Sequence, residues 1–146
     1  MLVNEILRTK PKSIITAETS TMISRAMELL LKHRISCLPV LNSDRELVGI
    51  ISDKDIFKLL AERPQAASSQ TVSSVMTSEL LVGLPTDEIS YIAAIMTNNR
   101  IRHIPIMEGK NLVGLLSVGD IVKTLMANIE TENRYLRQYI DGTYPA

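Results

Sequence analysis

The sequence predicts an α+β protein built from two copies of one strand–helix–strand–strand–helix unit. Three observations carry this. Residues 47–56 read LVGIISDKDI and residues 112–121 read LVGLLSVGDI, with six of ten positions identical. The flanks repeat as well: His33-Arg34-Ile35-Ser36-Cys37-Leu38-Pro39-Val40 matches Asn99-Arg100-Ile101-Arg102-His103-Ile104-Pro105-Ile106. The offset is 66 residues from Thr16 to Val40 and 65 from Leu47 to Ile56, and the change falls in a polar turn. Turns absorb length differences at little cost, so the alignment is physically sound. An internal repeat fixes the organisation before any residue chemistry is argued.

Each element follows from local pattern. Ser13 to Thr16 is a short β-rich run and predicts the first strand. Thr19-Ser20-Thr21 offers capping hydroxyls, and Met22, Ile23, Ala26, Met27, Leu30 and Leu31 then make one apolar helix face. In the second copy Pro85-Thr86-Asp87 is the starter, followed by Ile89, Ile92, Ala93 and Met96. Cys37 to Leu41 and Leu47 to Ser52 are apolar runs around a short polar turn, which predicts a hairpin. Asp53 to Glu62 predicts a helix with Ile56, Phe57, Leu59 and Leu60 turned inward. Upstream, Val3-Asn4-Glu5-Ile6-Leu7 answers Val72-Ser73-Ser74-Val75-Met76. The polar stretch 63–71, which contains Pro64, reads as a linker between repeat one (1–62) and repeat two (72–128). Residues 129–146 read as a C-terminal amphipathic helix and tail, with Ile121, Leu125, Ile129, Leu136 and Ile140 near helical spacing. Such a helix is expected to cover the core or to meet a second copy.

Bulk composition narrows the function classes. Each repeat is close to the lower size limit for independent folding, so the halves are expected to share a core. Sixteen acidic and sixteen basic side chains balance in the 146 residues. A non-specific nucleic-acid binder needs a basic surface, and nucleic acid is therefore not an expected partner. Aromatic residues make up only 3%, too few for base-stacking platforms. No basic-then-apolar leader opens the chain and no 18-residue apolar run occurs, so a cytoplasmic protein without membrane contact is expected. Cys37 is the lone cysteine and reads as a small core residue. With His33 and His103 it makes no recognisable metal set. The scattered methionines Met22, Met27, Met76, Met96, Met107 and Met126 read as core filling.

The repeated Ser-x-x-Asp carries the chemistry. Ser52 ends a strand and Asp55 sits in the first turn of the next helix; Ser117 and Asp120 repeat this. A hydroxyl beside helix N-terminal amides suits a phosphate or a hydroxyl-rich ligand. A carboxylate one turn on can accept two hydrogen bonds from a ribose. Gly49 and Gly114 leave room for close backbone approach. The same spacing is also a capping box, which merely satisfies orphan helix amides. Glu or Gln completes such a box better than the shorter Asp, but chemistry alone leaves both readings open. Gly114-Leu115-Leu116-Ser117 is not a nucleophile elbow, because its serine falls one residue too late.

The tandem pattern resembles the CBS domain, named for cystathionine β-synthase, paired as a Bateman module. The helix into His33–Val40, the turn, and the Gly-x-x-Ser-x-x-Asp of Gly49, Ser52 and Asp55 carry the match. Arg100 to Pro105, Gly114, Ser117 and Asp120 carry it in the second copy, and Val75-Met76-Thr77 resembles a common opening of a repeat. The closing segment from Glu132 to Gly142 resembles stand-alone bacterial CBS-pair proteins and suggests a complete small protein. The resemblance implies two repeats packed about a pseudo-two-fold, with two clefts for adenine ligands: AMP, ADP, ATP, NAD(H) or S-adenosylmethionine. It places ribose on Asp55 and Asp120, and phosphate or ribose near Ser52 and Ser117. It adds Arg102 and His103 of the second copy as phosphate contacts, where the first copy has Ser36 and Cys37. Arg34 and Arg100, at helix ends in both copies, are given a structural role. The implied protein is a regulatory, nucleotide-sensing homodimer with no metal and no catalysis. The alternative is a ligand-free dimeric scaffold whose Ser-x-x-Asp motifs are only caps.

Overall fold

In the computed structural model, which describes residues 1–143, each copy of the repeat becomes an antiparallel hairpin flanked by helices. The first half holds β1 (Ala17–Glu18), α2 (Ile23–His33), β2 (Cys37–Leu41), β3 (Leu47–Ser52) and α3 (Asp53–Glu62), preceded by the short helix α1 (Val3–Leu7). Two 3₁₀ turns, Ala66–Ser68 and Val72–Ser74, lead into the second half. That half holds α4 (Ile89–Asn99), β4 (His103–Glu108), β5 (Asn111–Ser117) and α5 (Val118–Ile140). β1 runs parallel to β2, and β2 pairs antiparallel with β3. β4 pairs antiparallel with β5, and Gly83 adds a single parallel bridge to Ile106 where Ala17 pairs with Val40 in the first half. The first strand is therefore Ala17–Glu18 rather than Ser13–Thr16. The buried Ala17 fits against β2, while Ser13 to Ile15 run along an open cleft.

The halves exchange their leading segments. α1 packs on the second half: Val3 N donates to Asp87 O (2.9 Å) and Asn4 N to Pro85 O (2.9 Å). The segment before the second repeat packs on the first half, where Val72 N donates to Thr21 O (2.8 Å). The apolar interior accordingly forms two clusters rather than the single shared core expected. One contains Ile23, Leu38, Val40, Ile51 and Ile56 with Val72 of the other half. The second contains Ile92, Ile104, Ile106 and Leu116 with Val3 and Ile6. Each small half thus completes its interior with side chains of the other, consistent with the marginal core of a unit this short.

The exchange also explains why the expected hydroxyl caps are not used. α2 begins at Met22 with no side-chain cap, and Ile23 N donates instead to Gln70 O (3.0 Å). α4 begins at Glu88, and Ile89 N donates to Met1 O (2.9 Å). Thr21 and Asp87 accept from the backbone of their own turns, at Glu18 N and Leu84 N. Buried amides need partners, and here the exchanged segments supply them.

Both glycines that were expected to admit a ligand admit a side chain instead. A Cβ on Gly49 would meet Met76, and one on Gly114 would meet Leu7. Met76 and Leu7 occupy matching places in the exchanged segments. Two further expectations fail for reasons of exposure: Phe57 lies on the outer face of α3 and Met126 on the outer face of α5. The expected C-terminal helix is continuous with the last helix of the second repeat, as α5 runs unbroken from Val118.

Gly114→Ala is expected to lower stability by about 1–3 kcal/mol through overpacking against Leu7. Gly49→Ala should cost less, because the flexible Met76 thioether repacks. Chemical denaturation of the two variants checks the order.

Candidate functional site

The Ser-x-x-Asp motifs are formed alike. Ser52 Oγ accepts from Asp55 N (3.2 Å) while Asp55 Oδ2 accepts from Ser52 N (2.9 Å). Ser117 Oγ accepts from Asp120 N (3.1 Å) while Asp120 Oδ2 accepts from Ser117 N (2.9 Å). Both are complete capping boxes at the starts of α3 and α5. The aspartate arm is long enough for this, so its length gives no ground for preferring a ligand role.

What separates the copies is the company each aspartate keeps. Lys10 Nζ lies 2.6 Å from Asp120 Oδ2 and donates to Leu115 O at 2.7 Å. Lys10 reaches this place because α1 belongs to the second half. The sequence reading missed it: a lysine 110 residues from Asp120, in a segment outside the repeated motif, gives no local signal.

Ser117, Asp120 and His103 line a cleft of about 830 Å³ between the halves. Its opposite wall comes from Ser13, Ile14 and Ile15 and from the end of α2 through Cys37, including His33, Arg34 and Ile35. Lys10, Lys12 and Arg34 are its basic residues besides the histidines, and Asp120 is the one carboxylate among its described lining residues. A second, more polar cavity of about 740 Å³ adjoins it through Lys12 and Ile14 and is bounded by the two hairpin turns. Ser52, Asp55 and Arg102 line neither cavity. Arg102 is exposed, one residue before the half-buried His103. Of the six residues singled out in the sequence, three meet in one place, and the cations beside them come from the first half and its leader rather than from Arg102.

Arg34 owes its position to the way α2 ends. It takes the left-handed conformation (φ 53°), and Ile35 N donates back to Leu30 O at 3.1 Å. Arg100 ends α4 in the same way (φ 54°), with Ile101 N to Met96 O at 3.0 Å. Glycine is the usual residue at such a C-cap, because a Cβ is strained there.

The electrostatics follow from burial and neighbours. Burial alone would raise the Asp120 carboxyl, but the hydrogen bonds from Lys10 and Ser117 and the lysine charge hold it below its ordinary value. Burial lowers His103, reinforced by Arg102 and Lys10 and opposed by Asp120 and Asp53. Its Nε2 lies 3.3 Å from Ser36 Oγ across the interface of the halves. Burial, then Asp55 and Asp53, push the Cys37 thiol up to about 12. It is therefore protonated and inert as a nucleophile at neutral pH.

Comparison with known proteins gives a consistent answer. The family model for the CBS domain matches residues 3–62 and 72–127. The CBS domain-containing protein YhcV of Bacillus subtilis is 31% identical over 82% of this chain and 84% of its own length. The CBS domain pair of protein MJ0100, solved with 5′-methylthioadenosine and S-adenosyl-L-methionine, superposes with a TM-score of 0.78 at 29% identity, over 88% of this chain and 98% of that one. CBSX2, solved with AMP, gives a TM-score of 0.75 at 25% identity, over 86% and 96%. Among the described residues, no helix is long and apolar enough to cross a membrane.

Two outcomes follow. Ser117→Ala and Ser52→Ala should each lower stability by about 0.5–2 kcal/mol by removing a cap, as read by chemical denaturation. His103 is held neutral in the fold, so its contribution is complete above its ordinary value of 6.5 and is lost as the pH falls below that. Asp120, lowered in the fold, contributes fully above its unfolded value, and that contribution goes only as the pH falls through the folded one, in a more acidic window. Urea melts between about pH 7 and pH 5 should show stability falling, and His103→Asn should flatten the slope.

Proposed function

The chain belongs to the CBS-domain family, and we propose that it is an adenine-nucleotide-binding regulatory protein with no catalysis of its own. The observation that carries this is the cleft at Ser117 and Asp120. Its volume of about 830 Å³ lies within the range of small-molecule sites. Its lining matches the parts of a nucleotide. Ile14, Ile15, Ile35, Val113 and Leu115 offer apolar surface to a base. Asp120 offers a carboxylate to ribose hydroxyls. Ser117 and the N-terminus of the long helix α5, with nearby lysines, offer a setting for phosphate. AMP, ADP, ATP and NAD(H) share these parts.

Ser52 and Asp55 take a structural role in this reading, as the cap of α3. Arg102 enters it only through its effect on His103. The completeness of both capping boxes favours one competing reading, a scaffold without ligand. Partner and location belong to the same proposal. Val122, Leu125, Met126, Ile129 and Leu136 form an exposed apolar stripe along α5, and we assign it to a second copy of the chain in a homodimer. We place the protein in the cytoplasm, as the sequence reading expects.

Thermal melts with AMP, ATP, NAD and S-adenosylmethionine distinguish sensor from scaffold. At a hundredfold over its dissociation constant, a ligand stabilises by about 2.7 kcal/mol, a rise of about 5–10 °C. Asp120→Ala is expected to abolish the rise and Asp55→Ala to keep it; no shift with any of the four leaves the scaffold. For the dimer, Ile129→Glu should halve the mass seen by light scattering, and an unchanged mass rejects α5 as the contact.

A further inference from the structure

We propose that Lys10 sets the ligand specificity of the cleft: it pairs with Asp120 and exchanges that carboxylate for a ligand phosphate when adenosine binds. The inference rests on the nucleotide reading of this cleft and narrows it to phosphorylated adenosine, against neutral adenosine compounds.

The geometry carries the argument. Asp120 has one oxygen engaged by both its own capping box and the Lys10 ammonium, at 2.9 and 2.6 Å. A ribose whose two hydroxyls span both carboxylate oxygens meets the ammonium at Oδ2. The Lys10 backbone is fixed, since Lys10 N donates to Leu7 O (3.2 Å) and Thr9 N to Ile6 O (3.0 Å). Only the four-carbon side chain has to turn, and it is about a third exposed. Leu115 O, 2.7 Å from the ammonium, stays as a pivot on one of its three donors.

Charge then decides which ligands complete the exchange. Lys10, Lys12 and Arg34 line the cleft with Asp120, the one carboxylate among its described lining residues, while Asp53 and Asp55 act from beyond the wall on His103 and Cys37. A neutral adenosine that captures Asp120 leaves the Lys10 ammonium without its counter-ion in a half-enclosed place, which is costly. A phosphorylated adenosine returns an anion in the same step, and ammonium–phosphate hydrogen bonds are among the stronger ones. Lys10 is therefore an internal competitor against unphosphorylated nucleosides and a partner for nucleotides.

Isothermal titration of AMP and of adenosine into the intact chain tests this. The wild type is expected to bind AMP at least tenfold more tightly than adenosine. Lys10→Ala should weaken AMP by about tenfold or more while adenosine binds equally or more tightly, and Lys10→Arg should retain the preference. Lys10→Gln, which can still donate to Leu115 O, makes the same comparison should the alanine variant unfold. Loss of both ligands in equal proportion, or an unchanged AMP-to-adenosine ratio, overturns the role of Lys10 and leaves the nucleotide reading standing. Binding of neither ligand to the wild type overturns both.

Discussion

The exchange of leading segments is the constraint on which the rest of the molecule depends. Val3 and Ile6 complete one apolar cluster and Val72 the other, so neither half owns its whole interior. The same crossing satisfies the first amides of α2 and α4 through Gln70 O and Met1 O. It also delivers Lys10 to Asp120. A cut in the polar stretch between the repeats would not release two independent halves, because each would lose side chains from its core and carbonyls from a helix start.

The cleft shows how one arrangement serves stability and recognition together. A capping serine and aspartate satisfy the first turn of α5, and the same carboxylate faces the cavity. The box does not consume the aspartate, since a carboxylate has about four acceptor positions. The two boxes match to within 0.1 Å in each of their bonds. The difference between the copies therefore lies in the neighbouring cation and the open space, which only the folded chain brings together.

Much of the fold was legible in the sequence, because it depends on local pattern repeated twice. The hairpin Cys37–Leu41 with Leu47–Ser52 and the helix Asp53–Glu62 stand where apolar runs around a polar turn and helical spacing predicted them. The first strand was misplaced because Ile14, Ile15 and Thr16 have strand-like side chains yet line cavities, whereas the small Ala17 makes the ladder. Thr19 to Thr21 looked like caps because no local rule announces that a carbonyl some 50 residues away will do the work. Within the site, Ser117 and Asp120 could be read from their spacing. Lys10 and Lys12 could not, since their place is set by the crossing of segments and not by any motif they belong to. Helical spacing turns Phe57 inward, but spacing marks a face and not what covers it, and Phe57 is exposed.

The long helix α5 gives the cleft a mechanical aspect. It starts at the Ser117–Asp120 box and continues without interruption for 23 residues, to Ile140. At 1.5 Å per residue its length is about 34 Å. Beyond Leu125 its side chains are exposed save at Gln138. Any tilt of such a rod about the Ser117–Asp120 box is magnified along its length. A tilt of about 5° at the box moves the far end by about 3 Å, so a sub-ångström adjustment beside Asp120 becomes a displacement as large as a side chain at the opposite end.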